Sequence, residues 1–229
     1  PRDFEGTVNW VSNFEQIDYS KGKWMLMTRT NKMLEPLKDF FEDKGYYYAS
    51  KKGNNLVNKD LLQAIDTWKK LNTHQLIPAK LAQKIYAFMT VKGGSVKRNF
   101  GNGSSLKNVI EDLVNIEDLR NDHGLLAAGG WERALDKIND KKRNFIIAME
   151  KNGEDISPIV EPRIKLSTIH GAKGDERQNT VLMLDIDYNS FTAYQKNPNP
   201  EHRLFFVGIT RTVENLYLVN PVGAYGYQI

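Results

Sequence analysis

The 229-residue sequence has no cysteine, which excludes disulfides and thiolate metal sites and agrees with a reducing compartment. Histidine is scarce: the 4 present are scattered, and none is spaced as an H-E-x-x-H pair. No zinc site is therefore expected. There is no uninterrupted run of about 18 apolar residues, so neither a transmembrane helix nor a membrane partner is expected. The opening residues, PRDFEGTVNWV, lack a charged-then-apolar leader, so nothing marks the chain for secretion. They also lack an initiator methionine, and the chain reads as a piece of something longer. The phosphate-cradling pattern G-x-x-x-x-G-K-[ST] is missing as well. Gly22-Lys23 runs into Trp24, and FGNGSS (100–105) has no lysine where one is needed. The chain alone is not expected to hydrolyse ATP.

What is present is ordinary globular material, 40% hydrophobic and 26% charged. The net charge of +4 points weakly to a polyanionic partner. Strands are expected over 7–11, 23–28, 163–169, 180–186 and 215–220. KWMLMT (23–28) and TVLMLDI (180–186) are continuously apolar, as strands covered on both faces are. NKMLEPLKDFFEDKG (31–45) places Met33, Leu34, Leu37, Phe40 and Phe41 on one helical face and ends at Gly45, a natural C-cap. A short helix is expected over 202–212. Strands alternating with helices imply a parallel sheet of the α/β class. Residues 55–155 interrupt that pattern with amphipathic helical stretches at 58–72, 78–90, 105–119 and 131–153, and a mobile Gly/Lys/Asn-rich loop at 91–105. Trp131, Leu135, Ile138, Phe145 and Met149 recur there at helical spacing. The expected organisation is one α/β domain from 1–54 and 156–229, with a helical insertion at 55–155.

Candidate chemistry is thin at first sight. Asp185 ends an apolar strand as a magnesium-binding aspartate would, but without a phosphate loop it reads as a helix cap or loop residue. Asp175 and Glu176 are adjacent, so in extended chain they point opposite ways. Ser167 has no legible His–acid partners. The stretch IKLSTIHGAKGDE (164–176) is different. Polar groups leaving the end of a parallel strand emerge where α/β proteins bind ligands. His170 is placed to stack on nucleic acid, Gly171 and Gly174 let backbone amides approach an anion, and Glu176 can accept from a ribose. Taken singly, His170 reads rather as a satisfied loop histidine and Lys173 as a solvated surface charge.

Their co-occurrence with two other segments changes the reading. TIHGAKGDE, followed by EHRLFFVGITRTVENLYLV (201–219), resembles the two C-terminal motifs of UvrD/Rep/PcrA-like superfamily 1 DNA helicases. Upstream, WMLMTRTNKMLEPLKDFFEDKGYYY (24–48) resembles a further motif region of that family. The likeness is closest to phage-type members and covers about 20–50 and 160–221. It implies a RecA-like (P-loop NTPase-type) α/β fold, here the second domain, which lacks the P-loop, with its helical insertion subdomain.

By that resemblance, ATP with magnesium lies between this domain and an N-terminal RecA-like domain that supplies the phosphate loop and the metal ligands. Arg29 and Arg211 would reach the γ-phosphate as catalytic cations. Gly174 and Glu176 would contact nucleotide, while His170, Thr168 and Lys173 would face single-stranded DNA. Arg203 reads either as functional or as a scaffold residue paired with an acid near its motif. Lys92, Lys97 and Arg98 in the insertion are candidates for duplex phosphates at a single-strand/double-strand junction. Asp175 stands where the family often has leucine and puts a charge beside the nucleotide edge. The implied activity is ATP-dependent 3′→5′ unwinding in the cytoplasm of a bacterium or phage-infected cell. The competing readings are a DNA-binding protein with a degenerate helicase domain, and the helicase part of a RecB/AddA-like helicase–nuclease. The ending GAYGYQI reads as a natural terminus, which disfavours the latter.

Overall fold

A computed structural model describes residues 5–50, 55–109 and 112–229. Ile110 and Glu111, inside the helix expected over 105–119, and residues 51–54, at the expected domain boundary, lie outside them. In chain order the elements begin with β1 (Thr7–Val11), β2 (Trp24–Thr28), α1 (Glu35–Lys44) and β3 (Tyr48–Ser50). Next come α2 (Lys59–Asn72), β4 (Ile77–Pro78), α3 (Ala79–Tyr86), β5 (Leu113–Val114), α4 (Ile116–Asn121), α5 (Trp131–Ala134) and α6 (Asp140–Lys151). The chain closes with β6 (Ile164–Thr168), β7 (Arg177–Met183), α7 (Tyr188–Lys196), α8 (Asn199–Ile209) and β8 (Thr212–Val219). It divides into two compact units, Pro1–Asn55 with Glu161–Ile229, and Leu56–Val160.

The first unit is built on one six-stranded sheet in the order β1-β8-β7-β2-β6-β3, every pair parallel. β2 sits inside it and is buried at all five positions, which is why WMLMT carries no polar alternation. Its side chains divide by strand period. Met25 and Met27 join Leu182, Leu204, Phe205, Leu216 and Leu218 in the core on the α8 side. Trp24 faces the α1 side, 4.9 Å from the Tyr19 ring, itself 5.0 Å from Phe41. Each buried Met or Leu here contributes about 1.5–3 kcal/mol relative to leaving it exposed. Gly45, at φ 69, closes α1 in the left-handed conformation.

Several boundaries differ from the sequence expectation. β7 spans 177–183 rather than 180–186, because its pairing to β8 begins at Arg177↔Thr212. Asp185 is accordingly outside the strand, accepting the N–H groups of Val222 and Gly223 at 3.0 and 2.8 Å, a loop role. β3 and α7 have no counterpart among the expected elements. α7 buries no residue fully and so shows little apolar periodicity. It is started by Asp187, which accepts the Ser190 N–H at 3.0 Å.

Within the second unit the expected helices are more broken. The run over 105–119 is replaced by a 3₁₀ segment ending at Val109, then β5 and α4. A capping box stops continuity: Asn115 accepts from Glu117 and Asp118 N–H, and the Asp118 carboxylate accepts from Asn115 N–H. The stretch 131–153 divides into α5 and α6 because Asn139 is extended and caps α6 by accepting from Lys142 N–H at 2.9 Å. Trp131, Leu135, Ile138, Phe145 and Met149 are nevertheless all buried. The expected loop 91–105 is anchored at its centre, where Ser95 O accepts from Leu126 and Ala127 N–H and Val96 bridges Leu125.

Candidate functional site

Parallel strands give the sheet two chemically distinct edges, and the candidate residues divide between them. Thr28 and Thr168 are register partners at the ends of β2 and β6, and Ile169 N–H donates to Thr28 O at 2.9 Å. Arg29 and His170 therefore leave the sheet at its carboxyl edge. Arg177 and Thr212 are partners at the starts of β7 and β8, and Arg177 N–H donates to Arg211 O at 3.2 Å. Glu176 and Arg211 therefore adjoin at the amino edge. The seven residues of β7 separate the two edges by about 20 Å.

The turn 169–174 carries the chain from one edge toward the other. Thr168 starts it, its hydroxyl accepting the Gly171 N–H at 3.1 Å. Ile169 and Ala172 are buried in the core beneath, while His170, Lys173 and Gly174 are exposed. Gly174 has φ +87 and open space where a Cβ would stand, so its peptide is presented without a side chain. Asp175 is not a loose charge: Lys165 Nζ lies 2.6 Å from its Oδ2 and ties the crossover to β6. Glu176 follows, exposed.

The two arginines expected to act together are not brought together. Arg29 donates through Nε to Glu201 Oε1 at 2.6 Å and through Nη2 to Oε2 at 3.3 Å. The pair is well shielded, with side-chain exposures of 21% and 9%. Arg211 instead donates through Nε to Val207 O and through Nη2 to Thr210 Oγ1, both at 3.0 Å. Both acceptors are neutral, and no carboxylate among the described residues pairs with it. Its guanidinium is thus aimed by the last turn of α8 without being spent on an ion pair, at a helix end whose carbonyls favour a cation. Arg203 is exposed and unpaired among the described residues; the acid at the head of its motif is taken by Arg29.

Sequence reasoning missed an aromatic surface beside the carboxyl edge. The C-terminal segment turns back so that Ile186 and Tyr227 N–H donate to Tyr225 and Leu184 O. Tyr225 lies 4.9 Å from Phe191 and 5.6 Å from Tyr188, which is 62% exposed. Tyr227 stacks on Phe205 at 3.9 Å, and its hydroxyl lies 2.7 Å from His202 Nδ1. A cavity of about 340 Å³ opens there, lined by Phe191, Tyr194, Gln195, Pro198, Gly226 and Gln228. The signal available in sequence was the aromatic recurrence in DYNSFTAY and GAYGY. Asp187 at the head of α7 is held below the ordinary carboxylate range, chiefly by the Ser190 hydroxyl, with Arg29 contributing.

Among the described residues no group of three or more His, Asp or Glu gathers to hold a metal ion. Among the same residues no helix is long and apolar enough to cross a membrane. The amino edge thus carries a guanidinium aimed by neutral acceptors, a glycine peptide open to approach, and a neighbouring exposed carboxylate. The family model described as UvrD-like helicase C-terminal domain matches residues 12–221. No curated protein matches the chain.

Proposed function

The chain belongs to the UvrD-like helicase C-terminal domain family, and on that basis we propose that it completes the ATP site of a DNA helicase and grips single-stranded DNA. Its two sheet edges serve the two ligands. At the amino edge, Arg211 binds the γ-phosphate of ATP, Glu176 accepts from the ribose, and the Gly174 peptide faces phosphate. At the carboxyl edge, His170 and the aromatic surface of Tyr188, Phe191 and Tyr225 hold bases by stacking, which is sequence-tolerant because every base has a π-face, and Thr168 faces the same strand of DNA. Lys173, exposed on the turn between, adds a charge for the DNA backbone.

The observation that carries the reading is Arg211 itself. A planar guanidinium can clamp two phosphate oxygens, and one with no carboxylate partner sacrifices no ion pair when an anion arrives. Magnesium-bound ATP, when present, supplies the phosphoryl group and its activation by the metal. The N-terminal RecA-like domain provides the phosphate loop and metal ligands. Arg211 stabilises charge that builds on the γ-oxygens, and it binds better with the interdomain cleft closed. That differential affinity is what lets nucleotide state drive movement. Unwinding is 3′→5′, as the resemblance implies.

The test is ATP turnover by the complete protein with single-stranded DNA. The wild type should be stimulated by DNA, and Arg211→Ala should lose about 10³-fold or more. Robust turnover by Arg211→Ala would refute the assignment.

A further inference from the structure

Arg29 leaves the sheet on the DNA side, yet its guanidinium is committed to the first turn of α8. We propose that Arg29 and Glu201 form a positioning clamp that makes α8 a strut between the two edges, transmitting DNA occupancy to Arg211. The proposal rests on the function argued above and gives Arg29 a role different from that of Arg211. A phosphate brought to Arg29 would face Glu201, already bonded to it through two oxygens. It would also approach Asp187, close enough to feel the Arg29 charge. Arg29 is therefore a poor second phosphate clamp and a good anchor.

The first two turns of α8 are tied to groups on the DNA side. Glu201, nearly buried, is held by Arg29, one residue beyond the end of β2. His202 is bonded to Tyr227, and Phe205 stacks on the same ring, joining the helix to the aromatic surface. Further along, Gly208 lets the helix lie so close that a Cβ would stand 3.0 Å from Leu182 and 3.4 Å from Ile169. Ile169 is the residue before His170. At the far end the Arg211 guanidinium is bonded to Val207 O, in the helix's own last turn, so it moves with the helix. The 11 residues of α8 span about 16 Å of hydrogen-bonded rod. A rod anchored at one end and carrying the phosphate cation at the other converts displacement at the carboxyl edge into displacement of Arg211.

The experiment compares the complete wild-type protein with Glu201→Gln. ATP turnover is measured with and without a thymidine oligonucleotide, and oligonucleotide affinity is measured by fluorescence anisotropy without nucleotide. Glu201→Gln should keep DNA-independent turnover and oligonucleotide affinity while its stimulation by DNA falls about 5-fold or more. Full stimulation in Glu201→Gln would overturn the clamp. So would an Arg29→Lys protein that, like Arg211→Ala, loses DNA-independent turnover, since that places Arg29 at the phosphate. Hydrogen exchange on the wild type keeps the test independent of any variant's folding. Oligonucleotide binding should change exchange of amides 204–211, and no change there would equally refute the strut. Absence of DNA-stimulated turnover in the wild type would instead remove the proposed function itself.

Discussion

Replacing Arg29 by methionine keeps most of the stem but removes the guanidinium, leaving Glu201 with a side chain only 9% exposed and no counter-ion. Breaking one side of a buried ion pair costs about 3–5 kcal/mol, because the remaining charge stays desolvated. Here the first turn of α8 offsets part of this, its N-terminal dipole being worth about 0.3–1 kcal/mol to a carboxylate. The expected loss is therefore about 2–4 kcal/mol. At about 2–4 °C per kcal/mol for a chain of this size, the thermal midpoint should fall by roughly 4–16 °C. Glu201→Leu alone should cost less, since Arg29 is more exposed and Asp187 lies within its field. The double variant Arg29→Met/Glu201→Leu should recover much of the loss, because an apolar pair leaves no buried charge behind. Urea unfolding of the four proteins closes a double-mutant cycle, with an expected coupling above about 1.5 kcal/mol. If the two single effects add within about 0.5 kcal/mol, the pair does not hold α8 and the reasoning fails.

Two further outcomes are expected. Gly174→Ala should lower stability by about 1–2 kcal/mol through the strain of a left-handed residue, with no steric clash. A thermal melt indistinguishable from wild type would contradict that, and Gly174→Asn should be milder than alanine because asparagine tolerates this region. Asp187 is held below its ordinary value of 3.8, first by the Ser190 hydroxyl. A depressed carboxylate stabilises the fold above its unfolded pKa and loses that contribution as pH falls through the lower folded value. Ser190→Ala should accordingly be less stable than wild type near neutral pH, with the gap narrowing as the pH drops below about 4. A gap of constant size across that range would show that Ser190 acts without Asp187.

The parallel α/β plan could be read directly, because β2 is buried at every position and β7 is buried from Asn179 onward, so both contribute apolar runs without alternation. α7 could not, since a helix with no fully buried residue leaves almost no period to detect. Nor could the break at 135–139, where Trp131 through Met149 keep helical spacing although Asn139 starts a new helix. Arg211, Glu176 and His170 were recognisable from their motifs, but motifs run along one dimension. That Glu176 adjoins Arg211 while Arg29 lies at the opposite edge follows from strand direction and register. The Arg29–Glu201 pair joins positions 172 apart, and each residue looked complete within its own motif. Tyr225 and Tyr227 reach the aromatic surface only because the C-terminal segment folds back onto the residues after β7, Tyr227 N–H donating to Leu184 O.

The position of β2 also sets a schedule for biosynthesis. Its neighbours in the sheet are β6 and β7, encoded on the far side of Leu56–Val160. A ribosome adding about 5–20 residues per second leaves WMLMT without either flanking strand for several seconds or longer. The insertion, a compact unit in itself, is complete before those strands exist. For that interval the most apolar strand of the first unit has neither of its sheet neighbours to pair with. Translation speed through the insertion thus governs how long the sheet's centre stays open.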